Sequence, residues 1–221
     1  MNQQQFDKLS NDLRALANKI PLHWGDIQNN ACDDQINMFA LDSYADLETA
    51  LAHLPEDQKN YLRRRWYLWK CSQCDEYLFY INPNVEKNPN SRDLAFDICI
   101  NHHLQFDIKG TVIPRQMRHN AESVIADPRP MIDFFYEKQS RGRRFNIQNR
   151  LFIVHHSFVD YKRELYQRCA WKSKTEFYQL FCQNADSISF YSTHGVMAGV
   201  IFIIERTKNQ LECSIFGMSN S

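Results

Sequence analysis

Three charged residues, Asp97, Asp107 and Lys109, combine residue types and a spacing that suit metal-assisted hydrolysis. Asp97 belongs to the segment 94–100, in which Leu, Phe and Ile alternate with Ala, Asp and Cys. Asp107 and Lys109 belong to a second alternating segment, 104–112. A period of two is typical of half-buried strands, so the pattern predicts two strands with these charged residues on one shared face.

The short polar segment Asn101–His103 predicts a hairpin loop that joins the two strands. With that loop, Ile100 pairs with Leu104, and counting outward places Asp97 directly opposite Asp107. A shift of one residue would mix the apolar and polar faces, so the side-chain pattern favours this register.

Facing carboxylates repel each other across a β-ladder, so Asp97 and Asp107 require a cation nearby. The functional interpretation is a divalent metal with oxygen ligands, assisted by Lys109. Two structural interpretations remain open. Either Lys109 alone neutralises the pair, or a longer loop staggers the two carboxylates in solvent.

The motif formed by Asp97, nine intervening residues and Asp107-x-Lys109 resembles the core motif of the PD-(D/E)XK nuclease superfamily, which includes restriction endonucleases and repair nucleases. The resemblance implies that Asp97 and Asp107 hold Mg²⁺, with Mn²⁺ as a substitute, and that Lys109 positions or activates the attacking water. It also implies an additional acid on an upstream helix, for which Glu76 is the best-placed candidate and Glu48 the alternative.

The surrounding elements extend this resemblance over about a hundred residues. The pattern predicts, besides the hairpin, a helix over Asp57–Tyr77, a strand near Tyr77–Asn82, a helix over Met131–Gln139 and a strand over Leu151–His155. This order of helix, strand, hairpin, helix and strand is similar to the superfamily core. One departure is Phe96, which stands where the motif has proline.

The remaining segments flank this core. The predicted elements are helices over Phe6–Ile20 and Tyr44–Leu54, helical pieces over Tyr161–Cys182 with a capping box at Ser173–Glu176, and strands over Ser187–Tyr191, Val196–Glu205 and Leu211–Phe216. The expected fold is α/β, with a restriction-endonuclease-like mixed central sheet flanked by helices. We expect an N-terminal helical annex at 1–55 and a nuclease-like domain at 56–221 with a C-terminal helix and β extension, or one domain throughout.

Basic residues near the motif are candidate nucleic-acid contacts. They are Arg115 and Arg118 just after Lys109, and Arg141, Arg143 and Arg144 in the basic segment that ends at Arg150. Arginines of this kind contact phosphates in nucleic-acid-binding proteins, although a solvated basic loop has the same composition. The formal net charge is zero, so binding must depend on local clusters, which counts against a non-specific scavenging nuclease.

A lone C-x-x-C pair, Cys71 and Cys74, allows a second interpretation of the metal chemistry. With His102 and His103 as further ligands the pair would bind structural zinc, whereas at helical spacing both thiols would face a core. The seven cysteines have no disulfide-framework spacing, the N-terminus lacks a signal-peptide pattern, and the longest apolar run is too short to span a bilayer. We expect a cytoplasmic protein without a membrane segment.

These patterns together predict a Mg²⁺-dependent DNA endonuclease of restriction type that acts as a homodimer and needs no small-molecule cofactor. Two alternatives stay open. One is a repair or mobile-element nuclease. The other is a catalytically inactive PD-(D/E)XK-like module that binds nucleic acid or a protein partner.

Overall fold

The computed structural model describes residues 1–19, 30–90, 95–137, 148–193 and 195–218. Its α-helices are α1 (Gln3–Ala17), α2 (Asn30–Asp33), α3 (Tyr44–Leu51), α4 (Glu56–Tyr80), α5 (Ala121–Ala126), α6 (Arg129–Glu137) and α7 (Trp171–Asn184). Short 3₁₀ segments lie at Met38–Ala40, Arg115–Asn120, Tyr161–Arg163, Tyr166–Cys169 and Ala185–Ser187. None of the helices in these ranges is both long and apolar enough to cross a membrane.

Seven strands in the described ranges form one mixed sheet. They are β1 (Val85–Lys87), β2 (Ile98–Ile100), β3 (Leu104–Val112), β4 (Arg150–Ser157), β5 (Tyr191–Thr193), β6 (Val196–Thr207) and β7 (Gln210–Ile215). The order is β1-β2-β3-β4-β6-β5, and β7 also pairs with β6. Strands β3, β4 and β6 are parallel, and the other pairings are antiparallel. The predicted α/β class is therefore confirmed.

The chain divides into two compact units. Unit 1 comprises Met1–Tyr77 and Lys162–Trp171, and unit 2 comprises Leu78–Tyr161 and Lys172–Ser221. All seven strands belong to unit 2. The predicted division between residues 55 and 56 remains a prediction.

Unit 1 is helical because apolar residues recur at helical spacing and polar residues cap the helices. In α1 the buried face includes Phe6, Leu13 and Leu16. Asn2 and Gln5 form a capping box at its start, and a second capping box begins α3. Burial of these apolar faces stabilises the helices of unit 1.

In unit 2 the parallel strands lie between helical layers. Strand β4 is buried along its whole length, as expected for a parallel strand covered on both faces. Phe135 of α6 stacks on Phe152 of β4, with 5.1 Å between ring centroids. On the other face, Phe181 of α7 contacts Phe190, which in turn contacts Phe106 of β3. The face that α6 covers also carries Asp107, because side chains alternate along β3.

The core elements occur in the predicted order, since α4 precedes β1, the β2–β3 hairpin, α6 and β4. The first strand was predicted in the wrong place. Residues of Tyr77–Tyr80 continue α4, and the Nδ2 atom of Asn82 donates to the carbonyls of Leu78 and Phe79 at its end. Strand β1 therefore begins only at Val85.

Three predictions for the C-terminal part were also wrong in detail. The segment from Tyr161 to Cys169 forms short 3₁₀ turns, and α7 begins at Trp171, before the predicted capping box at Ser173. The strand expected to begin at Ser187 begins at Tyr191. The predicted helix and later strands are otherwise present as α7, β6 and β7.

Candidate active site on the β2–β3 hairpin

The hairpin has the predicted loop and register. Ile100 pairs with Leu104, and Ile98 pairs with Phe106. The loop closes through a hydrogen bond from the N–H of His103 to the carbonyl of Ile100. Asn101 has a φ of 51° and His102 a φ of 63°. Two consecutive residues with positive φ give the chain the twist of a tight hairpin.

This register brings Asp97 opposite Asp107, although Asp97 lies one residue before the start of β2. The N–H of Asp97 donates to the carbonyl of Phe106 at 2.9 Å. The Oδ2 atom of Asp97 accepts a hydrogen bond of 2.8 Å from the N–H of Ile108. The Asp97 carboxyl is thus held against β3 at Ile108, which lies between Asp107 and Lys109 in the sequence.

Lys109 is paired with Asp107. The Nζ atom of Lys109 lies 2.7 Å from Oδ1 of Asp107. The Asp107 side chain is 10% exposed and that of Lys109 is 38% exposed. The Asp107 carboxylate is therefore almost completely buried, while the side chain of Lys109 remains partly exposed to solvent.

The electrostatic environment raises the pKa of Asp97 above its usual value. Burial is the largest cause, and the negative charge of Asp107 acts in the same direction. The hydrogen bond from Ile108 and the charge of Lys109 oppose the rise but do not cancel it. Burial and the facing negative charge of Asp107 therefore favour the protonated form of Asp97.

A second cation, Arg150, lies at the same carboxylate. The register of the parallel pair β3–β4 aligns Asp107 with Arg150, whose Nε atom is 3.5 Å from Asp107 Oδ2. The guanidinium also lies over the ring of Tyr136, 5.1 Å from its centroid, and the Tyr136 hydroxyl donates to the carbonyl of Gln148. The sequence placed Arg150 in a basic segment, and nothing local connects it with Asp107.

Asn149 is a positioning residue that the sequence did not reveal. Its carbonyl accepts from the N–H of Asp107, and its Nδ2 atom donates to the carbonyl of Gln105. Its Oδ1 atom accepts from the N–H of Met197 at the start of β6. Asn149 therefore fastens together the ends of three strands beside the acid pair.

The two candidates for an upstream acid lie in unit 1. Glu76 is a partly buried residue of α4. Glu48 lies in α3 and forms an ion pair with Arg63, with 2.7 Å between Oε2 and Nη2. This ion pair gives Glu48 a structural role, and the assignment of Glu76 to the site remains a prediction.

Contact of the basic residues with nucleic acid remains a prediction. Arg115 and Arg118 lie in the 3₁₀ segment after β3. Asp107 precedes the end of β3 by about 16 Å at the usual rise per residue, so these arginines follow the opposite end of the strand. Arg118 donates to the carbonyl of Ile113 and lies over the Tyr161 ring. Arg141, Arg143 and Arg144 lie outside the described residues.

The described residues do not support a zinc site. No group of three or more His, Cys, Asp or Glu side chains in the described ranges is arranged to hold a metal. Cys71 and Cys74 are fully buried in α4. At the hairpin loop, His102 is paired with Glu86 and His103 with Asp186. None of the seven cysteines forms a disulfide.

Mg²⁺ commonly takes one or two protein carboxylates and completes its coordination shell with water. Asp97 and Asp107 supply two carboxylates on adjacent strands. The Oδ2 atom of Asp107 is buried and makes no hydrogen bond to any described residue. Its lone pairs face the cation Arg150 at 3.5 Å, and two carboxylates are a donor set that suits Mg²⁺ when water completes the shell.

Comparison of the chain with protein-family models, with curated proteins and with solved structures gives no match in any of the three. The function of the hairpin site has to be inferred from its own geometry.

Proposed function

We propose that this protein is a Mg²⁺-dependent nuclease of the PD-(D/E)XK type that cleaves DNA phosphodiester bonds. The observation that carries the proposal is the position of Asp97 opposite Asp107, with Lys109 paired to Asp107 at 2.7 Å. Two carboxylates and a lysine on one face of a hairpin provide the charges that this hydrolysis needs.

The order of the elements adds support. The resemblance implies a core with the order helix, three strands, helix and strand, and α4, β1 to β3, α6 and β4 follow this order. Strands β1 to β3 are antiparallel, and β4 is parallel to β3 after the crossover that includes α6. A restriction-endonuclease-like fold is therefore part of the proposal, with Phe96 in place of the motif's proline.

Asp97 and Asp107 would hold the metal ion. When bound, Mg²⁺ would supply a water of lowered pKa and neutralise charge that develops on the phosphate. The metal would also add positive charge beside Asp97, whose pKa is raised by burial and by the negative charge of Asp107.

The chain's own residues position and charge the site. The N–H of Ile108 fixes the Asp97 carboxylate, and Asn149 holds Asp107 in register with β4. Lys109 keeps its ammonium group at the exposed edge, where it can donate a hydrogen bond to the attacking water or to a phosphoryl oxygen. Asp107 orients that ammonium group.

One observation favours the alternative of a module that binds nucleic acid or a protein partner without cutting. Arg150 and Lys109 together supply two positive charges to Asp97 and Asp107. The pair is therefore formally balanced without a metal. A repair or mobile-element nuclease would use the same site as a restriction enzyme, and a homodimer would let two such sites cut both strands.

The test is incubation of supercoiled plasmid with the purified protein, with Mg²⁺ and with EDTA. We expect Mg²⁺-dependent cleavage in the wild type and loss of cleavage in Asp107→Asn purified in the same way. Discrete bands would indicate a restriction-type enzyme, and nicking or smearing a less specific nuclease. Intact plasmid with every divalent metal, together with retained DNA binding, would overturn the proposal in favour of the non-cutting module.

A further inference from the structure

Arg150 is a buried cation directed at a proposed metal ligand. Its side chain is 8% exposed and that of Asp107 is 10% exposed. The Nε atom of Arg150 and Oδ2 of Asp107 make no hydrogen bond to any described residue, and they lie 3.5 Å apart. Their attraction is therefore electrostatic rather than a directional hydrogen bond.

The two oxygens of Asp107 face different cations. Lys109 Nζ lies beside Oδ1, and Arg150 Nε lies beside Oδ2. A divalent metal at Asp107 would approach an oxygen that already has a positive charge close to it. Because the surroundings are poorly solvated, that repulsion is only weakly screened.

Two contacts keep Arg150 in this position. The register of β3 and β4 sets its backbone beside Asp107, and the ring of Tyr136 lies under the guanidinium. Tyr136 is itself fixed through its hydroxyl on Gln148. Arg150 is thus held in a fixed position beside Asp107 rather than being an exposed surface charge.

We propose that Arg150 is a resident counter-ion of the acid pair, which competes with the divalent metal at Asp107 and weakens its binding. This inference rests on the proposed function. It assigns Arg150 a positioning and tuning role, because its guanidinium acts on Asp107. Without metal, the charges of Lys109 and Arg150 then balance those of the two aspartates. The charge of Arg150 raises the metal concentration needed to occupy the site.

Titration with Mn²⁺, followed by the electron paramagnetic resonance signal of the free ion, tests this role without any cleavage assay. Removing the charge in Arg150→Met is expected to tighten Mn²⁺ binding by roughly tenfold or more, because a repelling charge a few ångströms away is lost. Arg150→Gln, which keeps a polar side chain, should shift the affinity in the same direction if the Met variant does not fold.

Two controls isolate the charge of Arg150. Arg150→Lys keeps the charge and should leave the affinity within a few-fold of the wild type. Arg129→Met removes an exposed arginine that pairs with Asp127, and should leave it unchanged.

The outcomes separate this inference from the proposed function. Weaker Mn²⁺ binding or unchanged affinity in the folded neutral variants would overturn the counter-ion role while leaving the metal site intact. Absence of Mn²⁺ binding in the wild type and in every variant would overturn the metal site itself, and the inference with it.

Discussion

The Oδ2 atom of Asp97 accepts a hydrogen bond of 2.8 Å from the backbone N–H of Ile108, the residue between Asp107 and Lys109. This bond crosses the hairpin at its open end, where regular pairing of β2 has not yet begun. It holds the Asp97 carboxylate beside that of Asp107 in a half-buried position, where burial and the neighbouring negative charge disfavour the ionised form of Asp97.

Asp97→Asn should therefore stabilise the metal-free protein at neutral pH. The amide keeps an oxygen that can accept from Ile108 and removes a charge that burial and Asp107 disfavour. We expect a higher melting temperature in EDTA than for the wild type. Asp127→Asn is the matched control, because Arg129 lowers the pKa of the exposed Asp127 and its amide variant should gain nothing. An unchanged or lower melting temperature for Asp97→Asn would contradict the account.

The pH dependence of this difference has a defined sign. The folded-state pKa of Asp97 is raised, so the unfolded chain loses its proton first as the pH increases. The contribution of Asp97 to the free energy of unfolding is then largest below its unfolded pKa, near 3.8. It falls as the pH rises through the folded pKa of Asp97. Urea unfolding at a series of pH values in EDTA should show the gap between Asp97→Asn and wild type opening with rising pH. A gap that closes with rising pH would be the wrong sign.

Lys109→Met should leave the fold intact and reduce Mg²⁺-dependent plasmid cleavage by roughly 100- to 1,000-fold, as loss of one charge-stabilising donor does elsewhere. The Lys109 side chain is partly exposed, so its removal leaves no large cavity. The control is Lys208→Met, in the turn between β6 and β7, which should cut normally. Wild-type rates in a folded Lys109→Met protein would remove the lysine from the mechanism.

Asn149→Ala should destabilise unit 2 by about 1–3 kcal/mol, because it leaves the Gln105 carbonyl and the Met197 N–H without their side-chain partner. Chemical denaturation measures the loss. The matched control is Asn184→Ala, which removes an exposed hydrogen bond from Asn184 Nδ2 to the carbonyl of Leu180 and should cost less. Equal losses in both variants would mean that Asn149 does not fasten the three strands.

A buried ion pair contributes to the stability of unit 1, away from the acid pair in the sequence. Arg168 Nη2 lies 3.1 Å from Asp75 Oδ2, and the two side chains are almost completely buried. Arg168→Met should cost about 3–5 kcal/mol, because it removes the cation that lies 3.1 Å from a buried carboxylate. The double variant Asp75→Leu with Arg168→Met should be less destabilised than Arg168→Met alone. Additive losses in calorimetry would contradict this assignment.

The hairpin was predictable from sequence because its register depends on local information. Alternation in two adjacent segments and a three-residue loop are sufficient to place Asp97 opposite Asp107. The first strand was misplaced because the apolar run Leu78-Phe-Tyr-Ile81 suits a strand as well as the last turn of a helix. Here the preceding helical residues and the cap at Asn82 prolong the helix.

The roles of Arg150 and Asn149 depend on the pairing of β3 with β4, which are separated by a long crossover. Sequence periodicity predicts that each strand exists but does not set the register between them. A shift of one residue along β4 would place Asn149 or Leu151 opposite Asp107 instead. The second cation of the site was therefore visible only in the folded chain.

The central claim is that the facing carboxylates of Asp97 and Asp107 form a divalent-metal site. Anomalous diffraction from crystals of the protein grown with Mn²⁺ tests it most directly. We predict an anomalous peak within coordinating distance of both carboxylates, and its loss in Asp107→Asn. A well-ordered hairpin without a peak between Asp97 and Asp107 at saturating Mn²⁺ would contradict it.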